Sequence, residues 1–318
     1  MGKIVSWIAA FLVVIYLFGL WGEDGAVPEN SAEEAASRIP YLSAQYAYAA
    51  ENGIPLETFS EAKKLSAWFS EQDFSEENML YLDPDAMGLS VFFHSSTATK
   101  YKVSLYYGDY HYWGEVKDNR PHGYGMVTRG HAPGDNEKIL YIGEFKDGFY
   151  DGYGLLFDEH NADNEEALGR LYSVTDPDYV TQYYNYVNYI IYEGEMDEGE
   201  MTGRGNAFSA DLQYKLFLRS VSGTPFTIED ASYDILTGTF EKGEGAGDMK
   251  SYMDGFLLYE GYMSGGKYSG DGTQYYASSD AVRYEGDFKN GLYDGKGKYY
   301  SESGALLYDD KWSAGNYA

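Results

Sequence analysis

From residue 112 onward the chain repeats a fixed order of aromatic, glycine and apolar positions. It is clearest at Tyr284-Glu285-Gly286-Asp287-Phe288-Lys289-Asn290-Gly291-Leu292-Tyr293-Asp294-Gly295-Lys296-Gly297. An aromatic opens the frame, Gly stands third, an apolar residue fifth, and further glycines stand eighth, twelfth and fourteenth. Tyr284, Gly286 and Phe288 are two apart and share one face of a strand, while Glu285, Asp287 and Lys289 point the other way. One face is apolar and the other charged. Asn290-Gly291 accepts positive φ and predicts a tight hairpin turn. The second strand then carries Gly295, Gly297 and Tyr299 on one parity, and paired glycines leave a groove beside a neighbouring unit's aromatic.

The frame returns at Tyr112/Gly114/Val116, Tyr141/Gly143/Phe145, Tyr192/Gly194/Met196 and Tyr259/Gly261/Met263. The unit opening at 112 has Asn119 in place of one Gly. A weaker copy opens at Leu236 and carries Met249 in place of its last Gly, which predicts a twisted or bulged unit. Tyr308 and Trp312 open a half copy. A lone hairpin cannot bury its apolar face, so the units stack, each lengthening the sheet by about 10 Å. The expected fold is mainly β, an elongated open antiparallel sheet of hairpins with openings near 112, 141, 192, 236, 259, 284 and 308. Insertions at about 158–191 and 211–235 are extruded at hairpin ends. Within the first, Tyr179 to Tyr189 is rich in β formers and reads as an extra strand or hairpin, with a ligand-binding lip as the other reading.

This frame resembles the membrane occupation and recognition nexus (MORN) repeat, which residues 284–297 match closely. The resemblance covers about 112 to 318 with interruptions. It implies a stack of hairpins and a scaffolding or binding role rather than a chemistry. The structural glycines are then Gly114, Gly143, Gly194, Gly261, Gly286, Gly295 and Gly297. An open aromatic row would offer stacking and cation–π contact to glycan, choline-like or lipid headgroups. Its candidate residues are Tyr112, Tyr141, Tyr192, Tyr259, Tyr284, Tyr308 and Trp312.

The first third lacks the repeat. Ile4 to Gly22 holds no charge and is preceded only by Lys3. As a helix, Ile4 to Leu20 spans about 25 Å, with Trp7 and Trp21 near its ends as interfacial anchors. Residues 1–22 therefore read as a transmembrane anchor, the N-terminus cytoplasmic and the bulk extracytoplasmic. The rival is a cleaved signal and a secreted protein. Residues 23–110 read as an acidic linker and a small helical and β region that caps the first hairpin, and 111–318 as the repeat domain. Ser31 with Glu34 caps a helix over Ala35 to Ala50 that Asn52-Gly53 closes. Thr58 with Glu61 caps a second helix through Trp68 and Phe69. Met79 to Leu82 reads as a turn, and Val91 to Phe93 and Tyr101 to Tyr107 as strands entering the sheet.

The net charge of −28 disfavours nucleic acid and docking onto anionic lipid, although acids and bases come close to balance from Glu260 on. The absence of cysteine excludes disulfides, thiolate chemistry and cysteine metal sites. Gly261 to Lys267 mimics a phosphate loop but has Tyr268 where Ser or Thr belongs. Ser60-x-x-Lys63 and Ser264-x-x-Lys267 lack companion motifs, and the five histidines show no metal spacing. Asp83, Asp85 and Gly88 imitate a calcium loop that Met87 and His94 break. No cofactor, metal or enzymatic activity is expected. The function expected is that of a membrane-anchored binding or scaffold protein with a protein or envelope-polymer partner, working by avidity along its repeats. The two open edges of such a sheet also admit an edge-to-edge homodimer.

Overall fold

The computed structural model describes residues 43–72, 80–82, 109–118, 120–130, 138–157, 190–209, 212 and 233–317. Among these residues two helices come first, α1 (Ser43–Glu51) and α2 (Glu61–Glu71). The strands are β1 (Leu80–Leu82), β2 (Asp109–Lys117), β3 (Arg120–Gly130), β4 (Lys138–Lys146), β5 (Phe149–Phe157), β6 (Ile190–Asp197) and β7 (Glu200–Phe208). They continue as β8 (Ile235–Glu241), β9 (Glu244–Met253), β10 (Phe256–Ser264), β11 (Lys267–Tyr275), β12 (Val282–Lys289), β13 (Leu292–Tyr300), β14 (Leu306–Ser313) and β15 (Asn316–Tyr317). All lie in one open sheet in chain order, each antiparallel to the next. Every repeat contributes one hairpin, as the spacing of its glycines predicts.

The register aligns the repeats position by position. Third and fourteenth residues form a glycine ladder across the sheet, through the pairs Gly114 and Gly125, Gly143 and Gly154, Gly194 and Gly205, Gly261 and Gly272, Gly286 and Gly297. Met249 alone interrupts it between Gly238 and Gly261. The Leu236 unit nonetheless keeps the register of its neighbours: Phe240 pairs with Gly245 as Phe288 pairs with Tyr293. Its irregularity is chemical, since the Met249 sulfur approaches Gly238 where other units place a tyrosine ring.

The hairpin tips carry the conformations that their sequences ask for. Asn290 and Gly291 have φ of 53° and 83°, and Asp147-Gly148, Glu198-Gly199 and Lys242-Gly243 also have positive φ at both residues. The turn glycine has a second task. The Gly291 N–H donates to the Tyr268 carbonyl of the preceding unit (2.9 Å), and Gly148, Gly199, Gly243, Gly266 and Gly315 make the same link to Pro121, Tyr150, Met201, Gly245 and Tyr293. Each tip is thereby latched to the hairpin before it.

The second face departs from expectation in its first half. It is not charged there but apolar, and α1 and α2 cover it. Trp113, Met126, Ile142 and Leu155 form a core with Ala49, Ile54, Phe59, Ala62 and Leu65 of the helical segment. Phe59 lies against Tyr153 with ring centres 5.1 Å apart, and Trp68 against Tyr124 at 6.1 Å. The helices thus cover a broad face rather than cap the first hairpin, whose free edge is paired by β1 instead.

Other N-terminal details are corrected too. Leu80 to Leu82 is a strand, not a turn, because it pairs with Tyr110 to Tyr112. The box of Thr58 with Glu61 does not form: Ser60 precedes α2, and its hydroxyl donates to the Glu61 carboxylate (2.9 Å). Asn52-Gly53 does close α1, with the Ile54 N–H donating to the Ala49 carbonyl (2.8 Å). The anchor at 1–22, the capping box of Ser31 with Glu34, the strands at 91–93 and 101–107, the calcium-like loop and most of both insertions lie outside the described residues. Among the described residues no helix is long and apolar enough to cross a membrane.

Candidate functional site

The aromatic face is packed shut along most of its length. Tyr112, Tyr141, Tyr192, Tyr259 and Tyr284 have no exposed surface, and Trp312 is 8 % exposed. Each of the five rings lies on the glycine pair of its own hairpin, so the groove is filled by the unit's own tyrosine rather than a neighbour's. Their hydroxyls then reach the backbone three residues on: Tyr112 donates to Glu115 O (2.6 Å), Tyr141 to Glu144 O (3.0 Å), Tyr259 to Tyr262 O (2.7 Å) and Tyr284 to Asp287 O (3.0 Å). Tyr150, Tyr268 and Tyr293 stack on the outer faces of Tyr141, Tyr259 and Tyr284 with ring centres 3.8, 3.7 and 3.8 Å apart. The fifth residue joins units edge to face: Phe288 meets both Tyr259 and Tyr284, and Trp312 meets Tyr284. Burial pushes the phenols up, Tyr284 and Tyr293 to about 12. Of the seven candidate ligand residues, Tyr308 alone offers a broad ring surface, at 43 % exposure.

The glycines divide into two roles. Gly114, Gly143, Gly194, Gly261, Gly286 and Gly297 stand on the ladder where two backbones and a ring meet. Gly295, at φ 117°, would instead aim a side chain at Asp287. That carboxylate accepts the Lys296 N–H (2.8 Å), and Glu115 accepts the Tyr124 N–H (3.2 Å) at the equivalent place in the first unit. The acidic fourth residue thus holds the irregular stretch of the second strand, and the twelfth Gly leaves it room.

The opposite face changes character along one line of cross-strand neighbours. Trp113, Met126, Ile142 and Leu155 begin it under the helices. Glu193, Asn206 and Thr237 follow, polar and buried. The Glu193 carboxylate accepts the hydroxyls of Tyr46 from α1 and of Tyr153 (2.7 Å) and the Asn206 amide (3.3 Å). Asn206 also bonds both backbone groups of Glu57, accepting its N–H (2.9 Å) and donating to its carbonyl (3.0 Å). Further along, Asp234 accepts the Tyr48 hydroxyl (3.2 Å) and the Asp254 N–H (2.7 Å). These groups moor the helical segment to the sheet.

Beyond this mooring the line turns charged and open. It continues as Lys250, Glu260, Thr273, Glu285, Lys298 and Asp309, each opposite the next from β9 to β14. Lys250 lies 3.4 Å from Glu260 and Lys298 3.2 Å from Glu285. Both carboxylates also accept a tyrosine hydroxyl, from Tyr275 (2.6 Å) and Tyr300 (2.7 Å) respectively. Those hydroxyls, first, and the lysines hold Glu260 and Glu285 below the usual carboxylate range. A shallow groove runs here between Asp271, Thr273, Glu285, Lys296, Lys298 and Asp309.

The sequence reading missed this division of the second face. Its signal is the second residue of each unit, Trp113 and Ile142 in the covered half but Glu260 and Glu285 in the open half. The phosphate-loop mimic falls on the exposed turn at Gly265-Gly266 between β10 and β11. No group of three or more His, Asp or Glu side chains is placed to hold a metal among the described residues.

Comparison with known families finds the MORN repeat at four places, residues 112–129, 141–157, 259–281 and 284–305. No curated protein matches the chain. MORN repeats suggest a binding or scaffold role. The hairpins opening at 192 and 236 lie between the matched segments and continue the same ladder, with Met249 in place of one glycine.

Proposed function

We propose that this is a non-enzymatic, membrane-anchored scaffold protein whose C-terminal hairpins present the open second face to a protein partner outside the membrane. One observation carries the reading: among the described residues the helical core reaches Tyr252 on β9 and Leu257 at the start of β10 and no further, while the sheet runs on to β15 with its charged line open as far as β14. A protein that needed only a stable fold would have little use for a preformed, uncovered face of this length. The anchor is the uncharged stretch from Ile4 to Gly22, flanked by Trp7 and Trp21. The closed tyrosine face supports the packing role of its rings, and within the candidate row it leaves glycan or headgroup stacking to Tyr308, 43 % exposed, beside Tyr317 at 48 %.

Photo-crosslinking in the native host tests both parts. A photoreactive residue at Thr273 should give discrete adducts that one at Asp197, the exposed end of β6, does not. Equal labelling from the two positions would overturn the docking role. The full chain should resist extraction from membranes by alkaline carbonate, and release into the soluble fraction would remove the anchor.

A further inference from the structure

The charged line on the open face is self-complementary. Reversed and laid on itself, the order Lys250, Glu260, Thr273, Glu285, Lys298, Asp309 sets Lys250 against Asp309, Glu260 against Lys298, and Thr273 against Glu285. That reversal is what a two-fold axis performs when it lies parallel to the strands, between β11 and β12, in the plane between two facing sheets. We propose that the partner on this face is a second copy of the chain, packed sheet to sheet about that axis. The inference rests on the reading of this face as a docking surface.

Two flanking rows bear on the operation. An apolar row runs beside the charged line, with Tyr275 opposite Val282 and Tyr300 opposite Leu306 in its open part, while at its helix end Tyr252 is buried in the helical core and Leu257 packs against that core. The same rotation sets Tyr275 against Val282 and Leu257 against Tyr300, so that apolar meets apolar, and brings Leu306 to the end of the helical segment that covers Tyr252. On the other side of the line, Asp248 comes to Lys311 and Tyr262 to Lys296. The one like-charged meeting is Asp271 with Asp287, whose carboxylate already holds the Lys296 N–H.

Size and layering fit as well. Six strands about 4.8 Å apart and about nine residues long present a face of about 800 Å², the per-partner area of a standard interface. Among the described residues the helices form a second layer over the first half of the sheet and leave the second half single. A partner sheet about 10 Å away would continue that layer. Strand addition at β14 is less suited, because Asp309, Asp310 and Lys311 put three consecutive charges on it.

Sedimentation velocity of the full chain in detergent, over a range of concentrations, tests the arrangement with charge reversals. Lys250→Glu and Asp309→Lys should each weaken dimerisation about ten-fold or more, and the double variant should return to within about three-fold of the parent. Within one copy the two residues are five strands apart, about 24 Å, so rescue can come only from a partner. Unfolding midpoints confirm that each variant is folded. A monomer at every concentration, a dimer indifferent to the single reversals, or a double variant no better than the singles would each overturn the proposal. Discrete Thr273 crosslinks to another protein, from a chain that sediments as a monomer, would remove self-association and leave the docking role standing.

Discussion

Gly154 sits beneath the Tyr141 ring so closely that no side chain fits between them. The ring is held from above by Tyr150 and at its tip by the Glu144 carbonyl, so it has nowhere to retreat. Gly154→Ala should therefore destabilise the protein by about 3 kcal/mol, since a methyl group forced into a closed site displaces ring and backbone together. Gly304→Ala is the control. Gly304 has φ of 82° and open space around it, so the change should cost only about 1 kcal/mol of backbone strain. Urea denaturation of the two variants separates the terms, and equal costs would show that the ring does not depend on its glycine.

Asn206→Ala should loosen the helical segment before the sheet. It removes the partner of both Glu57 backbone groups and of the Thr237 hydroxyl, at an expected cost of about 2–3 kcal/mol. Hydrogen exchange should rise across 43–72 while the strands β10 to β13 keep their protection. A uniform rise through both regions would mean that the segment and the sheet unfold as one unit.

Alkali should unfold the protein cooperatively. Burial raises Tyr252, Tyr284 and Tyr293 to about 12 from an ordinary value of 10.0, and raises Tyr112, Tyr192 and Tyr259 as well. A phenol kept neutral in the fold but free to ionise in the unfolded chain contributes stability that is complete below pH 10. That stability is lost as pH rises from about 10 towards the folded value, at about 1.4 kcal/mol per pH unit for each such tyrosine. Absorbance of tyrosinate and circular dichroism should change together above pH 10. Gradual ionisation without loss of structure would show the rings to be accessible.

Acid acts on the other face. Glu260 and Glu285 are held low by tyrosine hydroxyls and lysines, so their contribution is present above the ordinary carboxylate range and lost as pH falls through their folded values. Both side chains are about two-fifths exposed, which keeps the effect small. Tyr300→Phe should raise the Glu285 pKa, as read by carboxyl carbon NMR, with little change in thermal midpoint.

The hairpins, their turns and the stacking order were legible because each repeat position does a local job. Asn290-Gly291 names its turn, and Tyr284, Gly286 and Phe288 name their face. The partner of each ring was not legible. Parity places Gly295 and Gly297 together, but the irregular pairing beyond Gly286 sends one toward Asp287 and the other under Tyr284. The helix-covered half was written in Trp113 and Ile142, apolar residues where the other units carry Glu, Thr or Asp, yet only the register shows that these continue into Met126 and Leu155. The mooring at Glu193 was hidden outright. In sequence it is the ordinary second residue of a repeat, and only its bonds with the distant Tyr46, Tyr153 and Asn206 give it another role.

The link from each turn glycine to the preceding hairpin bears on how the protein would respond to force. Strands run across the long direction of the sheet, so tension between its two ends would load the ladders one pair at a time, as a zipper opens, and not all at once. The Gly291 to Tyr268 bond and its five counterparts sit at the tips, where such peeling would have to start on that side. They would turn a smooth tear into a series of clicks, one hairpin each, and let a stretched molecule give length and then recover it.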